Sequence, residues 1–209
     1  MRNPEDDYGR PAVLLNPLEG DPTDADSHIG GPMLWPIDDE WPSCDADGEP
    51  FVGAVQLYQR DFPELPFPGG TDLLQVFLCT LDHDTRGPDV RLVWRDSTTV
   101  FELIEEEPEP SEQEELYVPT VNVFEPIRYT EHPAKISGGT KIGGWTAWND
   151  SDPLTFACPE CGAVQRQTLS LGTYEPSGDN VEWVFGEDGN LNIFLCEKDV
   201  RHPIKAHIG

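Results

Sequence analysis

Apolar positions in this chain come in short blocks. Residues 51–57 (FVGAVQL), 73–78 (LLQVFL), 90–94 (VRLVW), 181–185 (VEWVF) and 191–195 (LNIFL) are five to seven residues long and rich in Val, Leu, Phe and Trp. Blocks of that length and content predict β-strands. Turn residues stand between them, as in Pro68-Gly69-Gly70 and in GEDGN at 186–190. With 21 Pro and 19 Gly, the chain seldom offers the dozen uninterrupted residues that a stable helix needs. The pattern predicts a mainly β fold, antiparallel and with few helices; α+β is the alternative.

The blocks also repeat. HIGGPMLW at 28–35 is answered by KIGGWTAW at 141–148, and CDADG at 44–48 by CPECG at 158–162. A Gln-bearing segment follows in each half, at Gln56 and at Gln167, and each half then reaches a near-identical apolar block, LQVFLC ending at Cys79 and LNIFLC ending at Cys196. Four matching blocks in one order predict a duplicated, pseudo-twofold body. The expected organisation is an N-terminal extension (1–27), a first repeat (28–101), an acidic linker or loop (102–116), a connecting segment (117–140) and a second repeat (141–209). The linker contains ELIEEEPEPSEQEE, with eight glutamates and two prolines. Such a run repels itself and is expected to be solvated, or to capture a basic client.

Charge narrows the partners. Forty acidic residues against 13 basic ones give a formal net charge of -27. A phosphate backbone needs Lys and Arg to release its counterions, so nucleic acid is not an expected partner, nor is an anionic membrane surface. A basic protein or a metal ion would be attracted. No stretch approaches the ~20 apolar residues of a transmembrane helix. The start, MRNPEDDYGR, lacks the basic and apolar regions of a signal peptide. A cytoplasmic location is expected, with reduced thiols that serve as ligands or core residues rather than as disulfides.

The duplication completes a ligand set. Cys158 and Cys161 can grip one side of a tetrahedral ion, and Cys196 with His202 supplies the other, giving a closed Cys3His site for a structural zinc. His207, close to the C-terminus, is the rival fourth ligand. Gly162 permits the tight turn after the second cysteine. In the first half Cys44, Cys79 and His83 occupy the matching places, but Asp47 stands where Cys161 would be. A Cys2HisAsp zinc site can be drawn there; so can a core containing two small thiols, with Asp47 as a turn former.

No catalytic pattern accompanies these residues. There is no HExxH, no H-x-E ahead of the cysteine pair, and no base signature beside a nucleophilic Cys. The glycine pairs at 30–31 and 143–144 lack phosphate-loop spacing, and close packing or a turn explains them better. Trp35, Trp41, Trp145 and Trp148 lie near those glycines and suit either a core or an aromatic ligand surface. The segment FPELPFP at 62–68 is expected to cover a sheet face.

The succession HIGGPMLWP, FVGAVQLY and FPELPFPGGTDLLQVF resembles the YwqG-like bacterial domain of unknown function, in which a paired glycine, a Gln-bearing strand and an LP-x-x-G-x-LQ-F segment recur. CPECG with the later LNIFLC is similar to zinc-bearing actinobacterial members of that group and, more distantly, to the C-terminal domain of programmed cell death 2 proteins. The resemblance spans most of 28–203 and implies a duplicated β-rich fold without an established activity. The distant relatives act as chaperones for a ribosomal protein, which implies protein binding; Asp47 departs from the Cys or His of a two-zinc member. The expected function is therefore a zinc-stabilised, non-enzymatic protein that binds a basic partner, immunity-like or chaperone-like. The alternative is a metal-dependent hydrolase or small-molecule enzyme built on the incomplete first site.

Overall fold

A computed structural model describes residues 8–81, 87–111, 115–149, 152–178 and 181–209. Thirteen strands appear among them: β1 (Arg10–Leu14), β2 (Pro17–Glu19), β3 (His28–Ile29), β4 (Val52–Tyr58), β5 (Leu73–Leu78), β6 (Val90–Arg95), β7 (Asn122–Phe124), β8 (Ile127–Glu131), β9 (Lys141–Gly143), β10 (Phe156–Ala157), β11 (Val164–Gly172), β12 (Asn190–Cys196) and β13 (Lys205–Ile208). The only helical pieces among the described residues are two three-residue 3-10 turns. The fold is mainly β, as the short apolar blocks predict, and among the described residues no helix is long and apolar enough to cross a membrane.

The chain divides into two compact units. A terminal unit takes Met1–Pro17, Phe124–Asn180 and Val184–Gly209; a central unit takes Leu18–Val123 and Val181–Trp183. The terminal unit's sheet runs β13-β12-β11-β9-β1-β8, with β10 paired to β11. The central unit's sheet runs β2-β7-β3-β4-β5-β6. Each sheet thus takes an inner strand from a remote stretch of chain: β1 lies between β9 and β8, and β7 between β3 and β2.

β4, β5 and β12 bury both faces, so they read as near-continuous apolar runs and not as alternations. All six residues of β5 and all seven of β12 are buried. Polar side chains within these runs are satisfied internally. Gln75 Nε2 donates to Gln56 Oε1 at 2.9 Å, the same oxygen accepts from the Leu34 N–H at 2.9 Å, and Gln56 Nε2 donates to the Asp24 carbonyl at 2.8 Å. Leaving such groups unpaired would cost about 1–3 kcal/mol each. Trp35, Trp41 and Phe77 fill the central core edge to face, with centroids 5.2–5.3 Å apart.

The second glycine pair is explained by close approach. Gly143 and Gly144 have φ of +69° and +72°. A Cβ on Gly143 would meet the Pro11 carbonyl, and one on Gly144 the Glu131 carboxylate. That carboxylate is held by Lys141, whose Nζ donates to both Glu131 oxygens at 2.9 Å and to the carbonyls of Ser137 and Trp145 at 2.8 Å. Both side chains are essentially inaccessible, at 1% and 0%.

Residues 181–185 are not a strand. Val181, Trp183 and Phe185 are buried, but Glu182 has φ +68° and no ladder forms. Within 1–27, β1 and β2 are sheet strands, because Ala12, Val13, Leu14 and Leu15 supply apolar surface to bury. Part of the acidic segment is anchored: Ile104 packs on the core cluster, its N–H donates to the Trp35 carbonyl at 3.0 Å, and Glu107 accepts the Met33 N–H at 2.6 Å. Phe62 and Leu65 are buried, at 1% and 3%.

Candidate metal centre

The terminal unit's cluster is assembled by a hairpin and a strand end. β10 and β11 pair through Phe156↔Gln165 and Ala157↔Val164, which leaves 158–163 as the connecting loop. Within it the Cys158 N–H donates to the Ala163 carbonyl at 2.7 Å and the Gly162 N–H to the Cys158 carbonyl at 2.9 Å, closed by Gly162 at φ +70°. Gln165 is also registered with Cys196 at the end of β12, so the ladder itself brings the third thiol to the loop. Gln165 Nε2 donates to the Pro203 carbonyl at 2.7 Å and ties down the turn that carries His202.

Cys158, Cys161, Cys196 and His202 place their donor atoms within 4.8 Å of one another, a group that can hold a metal ion. Cys158 Sγ lies 3.6 Å from His202 Nδ1, and Cys161 Sγ 3.5 Å from Cys196 Sγ. Donors at ~2.3 Å (S) and ~2.1 Å (N) from one tetrahedral centre are separated by about 3.6 Å, so the spacing suits zinc. His202 Nε2 lies 3.3 Å from Glu160 Oε1, which turns Nδ1 toward the thiols in the way an outer carboxylate orients a ligating imidazole. Backbone N–H groups of Asp199 and Lys198 at its sulfur lower the Cys196 thiol to about 6, favouring the thiolate a metal requires. His207 lies elsewhere, on β13 beside Trp148 and Phe156.

The central unit repeats this backbone with different donors. The Cys44 N–H donates to the Glu49 carbonyl at 2.8 Å, the Gly48 N–H to the Cys44 carbonyl at 2.9 Å, Gly48 has φ +82°, and Ser43 bridges Pro50 as Ala157 pairs with Val164. Cys44, Asp47 and Cys79 come within 4.8 Å of one another; His83 lies outside the described residues. Cys44 and Cys79 are each 2% exposed and belong to the cluster of Trp35, Trp41 and Phe77. Burial pushes the Cys79 thiol up to about 12, and Asp47 Oδ1 accepts the Glu49 N–H at 2.8 Å as a turn former does. Because the loop matches and Asp47 stands where the second loop has Cys161, Asp47→Cys should raise the zinc retained after chelator dialysis by about one ion per chain. An unchanged stoichiometry would show that the apolar surroundings, not the donor, decide this site.

The four tryptophans divide between roles. Trp35 and Trp41 are core, whereas Trp145 and Trp148 are half-buried on the terminal unit's surface. The Glu131–Lys141 pair was missed in the sequence, although a lysine within an apolar KIGG strand and an acid ending IRYTE were its available signals.

No model of a known protein family matches the chain, and no curated protein matches it.

Proposed function

We propose that the chain is a zinc-stabilised, non-enzymatic protein that binds a basic protein, acting as a neutraliser or a shield for its client. The closed Cys3His geometry carries the metal part: four protein donors converge at zinc spacing, three of them anchored by one hairpin and its neighbouring strand. Four protein ligands leave no coordination position for water or substrate, so such an ion stabilises rather than reacts. The net charge of -27 supports the partner class, since so strong a field steers cationic surfaces toward the molecule. The more distant resemblance to the C-terminal domain of programmed cell death 2 proteins implies protein binding.

A salt-graded pull-down tests the partner. Basic proteins should be retained at low ionic strength and lost progressively as the Debye length shrinks from about 30 Å at 0.01 M salt to about 8 Å at 0.15 M. Absence of any salt-sensitive basic partner contradicts the proposal.

A metal-dependent enzyme is the second reading, favoured by one observation: Asp47 is exposed beside Cys44 and Cys79, where water can reach a bound ion. A chelator-labile second metal with a bound water would support it.

Duplication is proposed with the same function. If β1 to β6 form one copy and β7 to β13, β10 aside, the other, both sheets acquire the same strand order, and each copy's first strand lies in the other copy's sheet. The matched loops at Cys44 and Cys158 support this.

A further inference from the structure

A groove of about 470 Å³ opens in the terminal unit, within the ~300–1,000 Å³ range of small-molecule sites. In a chain with 40 acidic residues, no described residue lining it is acidic, and two are arginines, Arg10 and Arg166. Arg166 is paired with Glu197. Arg10 has no ion pair among the described residues; its guanidinium lies 3.5 Å from the Trp145 ring centroid. Burial and the charge of Arg166 both disfavour the Arg10 cation, an unfavourable state that a bound anion would relieve.

The remaining walls are aromatic, aliphatic and uncharged polar. Trp148 and Phe194 stack with centroids 5.9 Å apart. Trp145 Nε1 and Gln167 Oε1, both on lining residues, are buried without a hydrogen-bond partner in the described structure. A guanidinium without an ion pair among the described residues offers a planar fork for one carboxylate, and the aromatic walls offer an apolar bed for the body attached to it.

We propose that the Arg10–Trp145–Trp148 groove binds a small aromatic carboxylate, with Arg10 holding the carboxylate and the tryptophans flanking its ring. The site is separate from the metal donors and does not depend on the zinc assignment.

Nuclear magnetic resonance of the full chain tests this with phenylacetate, its neutral analogue phenylacetamide, and benzylphosphonate. Phenylacetate should shift the Trp145 indole N–H resonance saturably, that resonance being assigned by its loss in Trp145→Phe. Phenylacetamide should bind at least 10-fold more weakly. Arg10→Ala should weaken phenylacetate at least 10-fold while zinc content stays unchanged, which separates a failed groove from a failed metal site. Equal binding of acid and amide, undiminished binding to Arg10→Ala, or no saturable shift overturns the proposal. Tighter binding of benzylphosphonate than phenylacetate overturns the carboxylate class.

Discussion

Cys158→Ser is expected to abolish stoichiometric zinc and to unfold much of the terminal unit, and Cys196→Ser to do the same. Each removes a thiolate from a four-donor set on which loop, strand end and turn converge. Structural zinc contributes roughly 10–16 kcal/mol of apparent binding energy in small zinc-finger peptides, whereas whole domains are stable by only about 5–15 kcal/mol. Even a fraction of that loss is large. Zinc analysis with thermal unfolding checks it, and full zinc content with an unchanged transition in both variants would contradict the assignment. His207→Ala, which alters an aromatic neighbourhood and no donor, should keep its zinc.

The second large effect belongs to Lys141→Met. The substitution leaves the Glu131 carboxylate buried without its cation and withdraws the donor from the Ser137 and Trp145 carbonyls. Breaking a buried pair in this way costs about 3–5 kcal/mol, or about 10 °C in Tm for a chain of this size. Burial disfavours the Glu131 charge, but the Trp145 N–H, the Lys141 ammonium and the Ser137 N–H outweigh it and hold the carboxyl below its ordinary range. Its folded pKa is therefore depressed. The stability it contributes is present above the ordinary 4.5 and is lost as pH falls through the lower folded value. Chemical denaturation at neutral pH measures the effect; a loss under about 1 kcal/mol would show that Lys141 does not compensate Glu131.

What the chain disclosed in advance follows from how each element is held. β4, β5 and β12 bury contiguous apolar residues and β6 half-buries Leu92, Val93 and Trp94, and their positions were legible within a residue or so. Residues 181–185 misled because a short apolar block reports burial, whereas a strand also needs a ladder partner, and Glu182 at φ +68° departs from the extended backbone a ladder requires. β1 was illegible because its partners, β8 and β9, come from more than a hundred residues away, and Pro11 within it argues locally against an inner strand. The ligand set was legible because the donors announce themselves by spacing and the matching block LNIFLC pointed to Cys196. The Arg10 groove was not, since β1 brings Arg10 to Trp145 only through the sheet order.

X-ray absorption at the zinc edge of the zinc-loaded chain tests the central claim most directly. The proposed zinc-stabilised protein should hold one zinc per chain with three sulfurs at ~2.3 Å, one nitrogen at ~2.0–2.1 Å and no exchangeable oxygen. A chain that binds no zinc, or a shell with fewer than three sulfurs and a bound water, would contradict a closed structural centre at Cys158, Cys161, Cys196 and His202.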